Sequence, residues 1–275
     1  PSPWGWGFPG WHIECSAMSK KYLGDTFDIH GGGLDLAATH HTNEIAQSQA
    51  CNHHEPARYW MHTNMLTVNG TRMSKSAGNG FLPGELFSGN HPTLSKAFSP
   101  MTVRFFMLQA HYRSTLDFSN EALEASEKGF KRLLQAVDLL DGLQASDQST
   151  CDVASLIARG YAAMNDDFNS PILIAELFEA VKLINGINDG KVQISAPDLT
   201  SLSQFVKQMV FDVLGLKTEG SEGTELAPLM ELIIKLRNEA KGKQDYATSD
   251  KIRIALQEAG IQLNDSKEST TWTKL

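Results

Sequence analysis

The chain has 275 residues, 41% of them hydrophobic, and a formal net charge of −8 at pH 7. That length suits roughly two or three structural units with a full core, and no apolar run approaches the ~18 residues of a membrane helix, which excludes a helical membrane span. Three cysteines (Cys15, Cys51, Cys151) are too few for a disulfide framework and fit a reducing cytoplasm, and the acidic balance excludes a global basic field for nucleic acid.

Residues 1–11, rich in Pro, Gly and Trp, read as an irregular lead-in without the basic stretch and apolar core of a secretory signal. Helical spacing runs from His12 to Leu23 and stops at Gly24. Cys15 falls in the first turn, where the helix dipole is expected to lower its pKa and favour the thiolate. Phe27 and Ile29 read as a buried strand that stops at Gly31, Gly32 and Gly33, before a polar helix. A strand–glycine–helix junction is where open α/β sheets bind ligands, because backbone without Cβ lets a phosphate or nucleoside approach. On that helix His40 and Glu44 are four residues apart and share a face, so with Cys15 they offer N, O and S donors to a divalent metal. Taken singly, the same features also read as a tight connection, a surface pair and a small buried hydrophobe.

Tyr59 to Val68 alternates as a strand, and Asn69-Gly70 is a hairpin signal that leads into Arg72 to Asn79, a loop of small polar residues with two cations. By residues alone that loop reads as a basic surface turn. A helix from Thr102 to His111 puts Val103, Phe106, Met107 and Ala110 on one side. A longer one, Glu121 to Leu143, carries a stripe of Leu123, Phe130, Leu133, Leu134, Val137 and Leu140. Ala145 to Thr150 links it to helices over Val153–Asn165, Pro171–Asn188 (capped by Asn169 or Ser170) and Ser201–Leu214, which read as bundle core. Lys217 to Thr224 reads as a linker, followed by helices Leu226–Lys241 and Thr248–Glu258 and a short hairpin. Residues 81–230 carry 11 Lys/Arg against 19 Asp/Glu, whereas residues 231–275 carry 8 against 7. Lys235, Arg237, Lys241, Lys243, Lys251 and Arg253 therefore make the tail the most basic part, by residues alone a solvated helix face.

In order and spacing, GWHIECSAM (Gly10–Met18), FDIHGGGLDL (Phe27–Leu36), HHTNEIAQS (His40–Ser48) and RMSKSAGN (Arg72–Asn79) resemble the cysteinyl-tRNA synthetases, which are class I aminoacyl-tRNA synthetases. The similarity continues through HYRSTLDFS (His111–Ser119), DDFNSP (Asp166–Pro171) and DYATSDKIR (Asp245–Arg253), covering nearly the whole chain. The resemblance implies an α/β plus mainly α protein. Residues 1–118 would be the C-terminal half of a Rossmann-like catalytic domain with a KMSKS-type loop, residues 119–216 a helical bundle, and residues 225–275 a small tRNA-binding, anticodon-end domain.

For chemistry, the resemblance implies ATP- and Mg2+-dependent activation of L-cysteine to cysteinyl-adenylate and transfer to tRNA(Cys). A zinc ion held by Cys15, His40 and Glu44 would select thiol over hydroxyl. His30, Gly31, Gly32, Gly33 and Asp35 would hold the adenosine side, and Trp11 would wall the cysteine pocket. The loop Arg72, Met73, Ser74, Lys75 and Ser76 would close over ATP, with Lys75 stabilising charge on the phosphates. The family's fourth zinc ligand and its HIGH motif lie before the region present, so the chain alone is expected to be inactive. Two departures stand out: Ala37, Ala38 and Thr39 replace a usual Phe-Pro, expected to loosen the entry to the His40 helix, and Arg72 opens the loop where the family has lysine. A cytoplasmic monomer without membrane association is expected. The alternatives are a mycothiol-type cysteine:amino-sugar ligase, lacking the tRNA-binding tail, and a non-catalytic RNA-binding paralogue.

Overall fold

The computed structural model of the chain describes residues 1–8, 10–74, 78–80, 82–218, 226–242, 245–265 and 270–274. They form two compact units, Pro1–Lys217 and Thr218–Leu275. In the first, α1 (Trp11–Leu23) ends at Gly24, whose φ of 92° suits glycine and whose N–H donates to the Lys20 carbonyl. Strand β1 (Phe27–Gly33) runs straight into a helix built of α2 (Leu34–Leu36), a π turn (Ala37–His41) and α3 (Thr42–Asn52). Strand β2 (Ala57–Thr63) then pairs parallel with β1, from Phe27↔Ala57 to Gly33↔Thr63. This is a βαβ unit, the helix supplying the crossover that parallel strands require.

Two expectations are corrected here. The glycines form the second half of β1 instead of a connection after it, paired through Gly31↔Met61 and Gly32↔His62. Ile29 is 54% exposed, so β1 is no buried strand: among the described residues the sheet has two strands, and Ile29 lies on an uncovered face.

The single strand expected from Tyr59 to Val68 is broken into two. Asn64 causes the break, donating from its N–H to Tyr112 O (3.0 Å) and from Nδ2 to Arg113 O (2.9 Å), while Oδ1 accepts from Met65 N (2.7 Å). The chain is thereby redirected into β3 (Leu66–Val68), the centre of a second sheet with β4 (Thr71–Arg72) antiparallel and β5 (Leu116–Phe118) parallel. The hairpin between β3 and β4 turns at Asn69 and Gly70, with φ of 49° and 75°. Asp117 in β5 holds that turn, its Oδ1 accepting from Thr67 Oγ1 (2.6 Å) and Gly70 N (2.8 Å). Val68, Leu86, Phe98, Val103, Phe106, Phe118 and Leu123 form one core, joining this sheet to α4 (Pro83–Ser88), α5 (Pro100–Leu108) and α6 (Asn120–Leu139).

A larger core fills the bundle of α5, α6, α7 (Val153–Asn165), α8 (Ser170–Asn188) and α9 (Ala196–Lys207). The helix starts follow cap chemistry: Ser99, Ser119, Asp152, Asn169 and Ser195 each accept a first-turn N–H. Helix α5 therefore begins at Pro100 and α9 at Ala196, both earlier than the apolar periodicity indicates. In α5 Met107 is half-exposed and Phe105 is fully buried, the reverse of the expected stripe. The helix lies between both cores, with Val103 and Phe106 in one and Phe105, 5.5 Å from the Phe130 ring, in the other. Helix α7 meets the Phe205 ring at Gly160, where a Cβ would collide with it.

The second unit contains α10 (Leu226–Gly242), α11 (Tyr246–Glu258) and the antiparallel hairpin β6 (Ile261–Asp265) and β7 (Thr270–Lys274), around Met230, Leu256, Ile261 and Leu263. Arg237 is 2% exposed, so it is removed from the basic surface the sequence indicates, whereas Lys235, Lys251 and Arg253 face solvent. Lys243 lies outside the described residues. Among the described residues no helix is long and apolar enough to cross a membrane.

Candidate functional site

The π turn places the two consecutive histidines, His40 and His41, inside the protein, each 3% exposed, with Glu44 at 2%. Cys15 reaches the same point from α1, which Ser16 Oγ pins to α3 by donating to Gln47 Oε1 at 2.6 Å. Donor atoms of Cys15, His40 and Glu44 lie within 4.8 Å of one another. His40 Nε2 stands 3.7 Å from Glu44 Oε1, and its Nδ1 shares a hydrogen bond with His12 Nδ1 at 2.7 Å. The Trp11 ring is 4.2 Å from that of His40. A half-buried thiol and a buried imidazole and carboxylate, convergent, suit zinc by donor type.

The thiol contradicts one expectation. Its pKa is raised, chiefly by burial and further by the carboxylates of Glu44 and Glu14. The direction is opposite to the lowering expected from the α1 N-terminus, and a bound cation would favour the thiolate.

A second donor set adjoins the first. His30 Nε2 lies 2.9 Å from Glu44 Oε2, and His30, His41 and Glu44 also present donors within 4.8 Å. His41 Nδ1 shares a hydrogen bond with His62 Nε2 (2.7 Å), and Trp60 packs its ring 4.7 Å from His30 and 5.0 Å from His41. Burial, then the neighbouring His30, lowers the pKa of His41 and favours its neutral form. Gly32 is what lets His41 in: a Cβ there would sit 2.6 Å from Cε1 and 2.8 Å from Nε2. His12, His41, His62 and Trp60 escape sequence reasoning, because only the π turn and the parallel register bring them together. Beside the cluster, between α1 and α3, a largely apolar cavity of about 540 Å³ is lined by Ile13, Ala17, Phe27, Pro56, His30 and Glu44.

Of the other expected residues, Gly31 and Asp35 are exposed, and the Asp35 carboxylate sits where a Gly33 Cβ would be. Arg72 and Met73 belong to the second sheet and its core, apart from the cysteine–histidine cluster. Asn79 staples the root of their loop: Oδ1 accepts from Ser74 N (3.0 Å) and Nδ2 donates to Arg72 O (3.2 Å). Lys75 and Ser76 lie outside the described residues.

Comparison with known proteins gives consistent matches. Residues 1–128 match the family described as tRNA synthetases class I (C) catalytic domain, and residues 160–218 match the DALR domain. A cysteine–tRNA ligase of Porphyromonas gingivalis is 52% identical over 278 residues, covering 99% of this chain and 56% of that protein. One from Bacteroides fragilis is 51% identical and one from Chlorobaculum tepidum 44%, with the same coverage of both chains. The chain thus spans about half the length of the curated relatives it matches.

Proposed function

This chain belongs to the cysteine–tRNA ligase family, and from that premise we propose that it carries the part of such an enzyme that selects cysteine and closes the loop over ATP. The whole protein activates cysteine with ATP and Mg2+ to cysteinyl-adenylate and transfers it to tRNA(Cys). The observation that carries the reading is the convergence of half-buried Cys15 on buried His40 and Glu44. When bound there, zinc supplies a soft Lewis acid that prefers a thiolate to a neutral hydroxyl.

The chain's own residues do the rest. Cys15, His40 and Glu44 hold the ion, and His12 and His30 fix the ring of His40 and the carboxylate of Glu44 through their hydrogen bonds. Trp11 walls the pocket against His40. Gly31, Gly32 and Gly33, with His30 and Asp35, receive the adenosine side. The loop Arg72, Met73, Ser74, Lys75 and Ser76 meets the phosphates, Arg72 and Lys75 bringing positive charge and Lys75 stabilising charge as pyrophosphate leaves. No protein nucleophile is required, since the amino acid carboxylate attacks the α-phosphate. Residues 1–118 serve as the catalytic part, residues 119–216 as the bundle and residues 225–275 as the anticodon-end contact. The DALR match favours tRNA over an amino sugar as acceptor.

The test has two arms. The chain is expected to bind one zinc, lost in Cys15→Ala, His40→Ala and Glu44→Ala, and cysteine but not serine is expected to perturb the bound ion. Cysteine-dependent ATP–pyrophosphate exchange is expected from a chain as long as the relatives and not from these 275 residues alone. Absence of zinc binding, or equal response to serine, overturns the selection mechanism. Exchange by the 275-residue chain overturns the assignment of half the ATP site to sequence outside it.

A further inference from the structure

We propose that Asp167, at the turn between α7 and α8, is a positioning residue for the arm that carries the Arg72–Asn79 loop. The loop's role in catalysis rests on the cysteine–tRNA ligase reading; the mechanical link does not. Asp167 lies far from every signature stretch around the cluster, yet its side chain and carbonyl hold three successive residues that follow α5. Its Oδ1 accepts from Tyr112 Oη at 2.6 Å, its Oδ2 pairs with Arg113 Nη2 at 2.9 Å, and its main-chain oxygen lies 3.1 Å from His111 Nε2. The backbone of the same segment grips the arm from its other side. Tyr112 O accepts from the main-chain N–H of Asn64 and Arg113 O from its Nδ2, and Leu116 N donates to Met65 O (3.2 Å) where β5 joins β3. From β3 the hairpin runs through Asn69-Gly70 to Arg72 and the Asn79 staple.

The backbone conformation at this turn has a cost that these contacts offset. Asp167 and Phe168 are consecutive residues with left-handed φ, 56° and 54°, and Phe168 is bulky and 54% exposed. A simple helix–helix connection has no need of such a conformation. Here it turns the Asp167 carboxylate and carbonyl together onto residues 111–113, with Phe168 N donating to Met164 O and Asn169 N to Ala163 O to hold the turn. Tyr112 and Arg113 also brace one another, Arg113 Nε donating to Tyr112 Oη at 3.3 Å. The bundle is therefore tied to the loop's root by a continuous set of hydrogen bonds, Asp167 to Tyr112 and Arg113 to Asn64 to β3.

The test is amide exchange on the 275-residue chain, comparing Asp167→Asn, Tyr112→Phe and the parent. Asparagine tolerates left-handed φ, so the first change removes the charged pair with Arg113 while sparing the turn, and the second removes one grip without touching Asp167. Exchange at the Asn64 and Leu116 amides and through β3 is expected to rise about tenfold or more in each, the factor corresponding to a lost charge-assisted hydrogen bond, with protection in α6 and α8 unchanged. Unchanged protection in β3, or a uniform loss across the bundle, overturns the proposal and assigns Asp167 a purely local or global structural role. In the longer enzyme, Asp167→Asn is expected to lower kcat for cysteine-dependent ATP–pyrophosphate exchange with the KM for cysteine unchanged. Faster exchange in β3 with wild-type kcat would keep the link and remove its catalytic consequence, and so overturn the positioning role.

Discussion

The two ends of the first unit are built on opposite rules. In the bundle, what is buried is mostly apolar: Phe105, Phe130, Leu133, Leu173, Leu177, Ile184 and Leu202 are essentially inaccessible, and the few buried polar side chains, such as Thr102 and Ser126, are small hydroxyls. In residues 1–63, four of the five buried residues among those described are polar, His40, His41, Glu44 and Ser48 beside Ala57, while Trp4, Trp6, Phe8, Ile13, Tyr22, Ile29 and Tyr59 are exposed. Helix α1 contains no buried residue at all. The bundle is held by the area it removes from water; the site end is organised by polar contacts among His12, His30, His40, His41, Glu44 and His62. A fold can thus keep its stability and its chemistry in separate places, and mutations should sort accordingly.

Four perturbations would sharpen or break that division. The largest loss is expected from Phe130→Ala, about 3–5 kcal/mol in denaturant unfolding, because the ring is fully buried against Phe105. Its zinc affinity should stay within about threefold of the parent, since distant sites act additively. Glu44→Gln should do the reverse. Zinc affinity measured by competition is expected to fall about 100-fold or more, while amide protection in α6 and α8 is kept. A bundle that loosens in Glu44→Gln would show that the two ends are not independent.

Next comes Gly32→Ala, expected to cost about 1–3 kcal/mol and to displace the His41 ring, read from its imidazole resonances. Gly31→Ala is the control, because its Cβ would meet only Met61 O at 3.6 Å. The smallest effect is electrostatic. The Asp117 carboxyl is held below its ordinary pKa, first by the Thr67 hydroxyl and then by the Gly70 N–H. The folded state therefore binds that proton less tightly than the unfolded chain. Its contribution is complete above about pH 4, the ordinary carboxylate value, and is lost as pH falls through the lower folded value. Gly70 amide exchange should rise on acidification in the parent, and be raised and pH-independent over that window, after intrinsic correction, in Asp117→Asn.

The bundle was legible because burial and capping are written locally. Of the stripe Leu123, Phe130, Leu133, Leu134, Val137 and Leu140, all but the partly buried Leu134 are buried as the spacing predicts, and Ser, Asp or Asn stands before each helix of the bundle. Misses occurred where two partners compete for one element, as for α5 between its two cores, or where one side chain redirects the backbone, as Asn64 does. At the site, Cys15, His40 and Glu44 were legible from spacing and resemblance, and the structure brings them together. The surrounding histidines were not, because their meeting depends on β1–β2 register and on a helical irregularity that leaves no signal in apolar periodicity. The thiol's raised pKa has a related origin: it is set first by burial, which depends on tertiary packing, and then by Glu44, distant in sequence.

The π turn at Ala37–His41 also changes how this stretch can vary. A π turn is an α-helix with one residue to spare, closed here by Thr42 Oγ1 donating to Ala37 O at 2.8 Å. Deleting one residue among Ala37, Ala38 and Thr39 would restore regular winding and rotate all that precedes it by about 100° relative to His40 and Glu44. Strand β1, with His30 and Gly32, would then lose its alignment with the buried imidazoles. A change in the number of these residues is therefore costlier than a change in their side chains, and a one-residue deletion here is expected to displace His30 and Gly32 from the buried imidazoles.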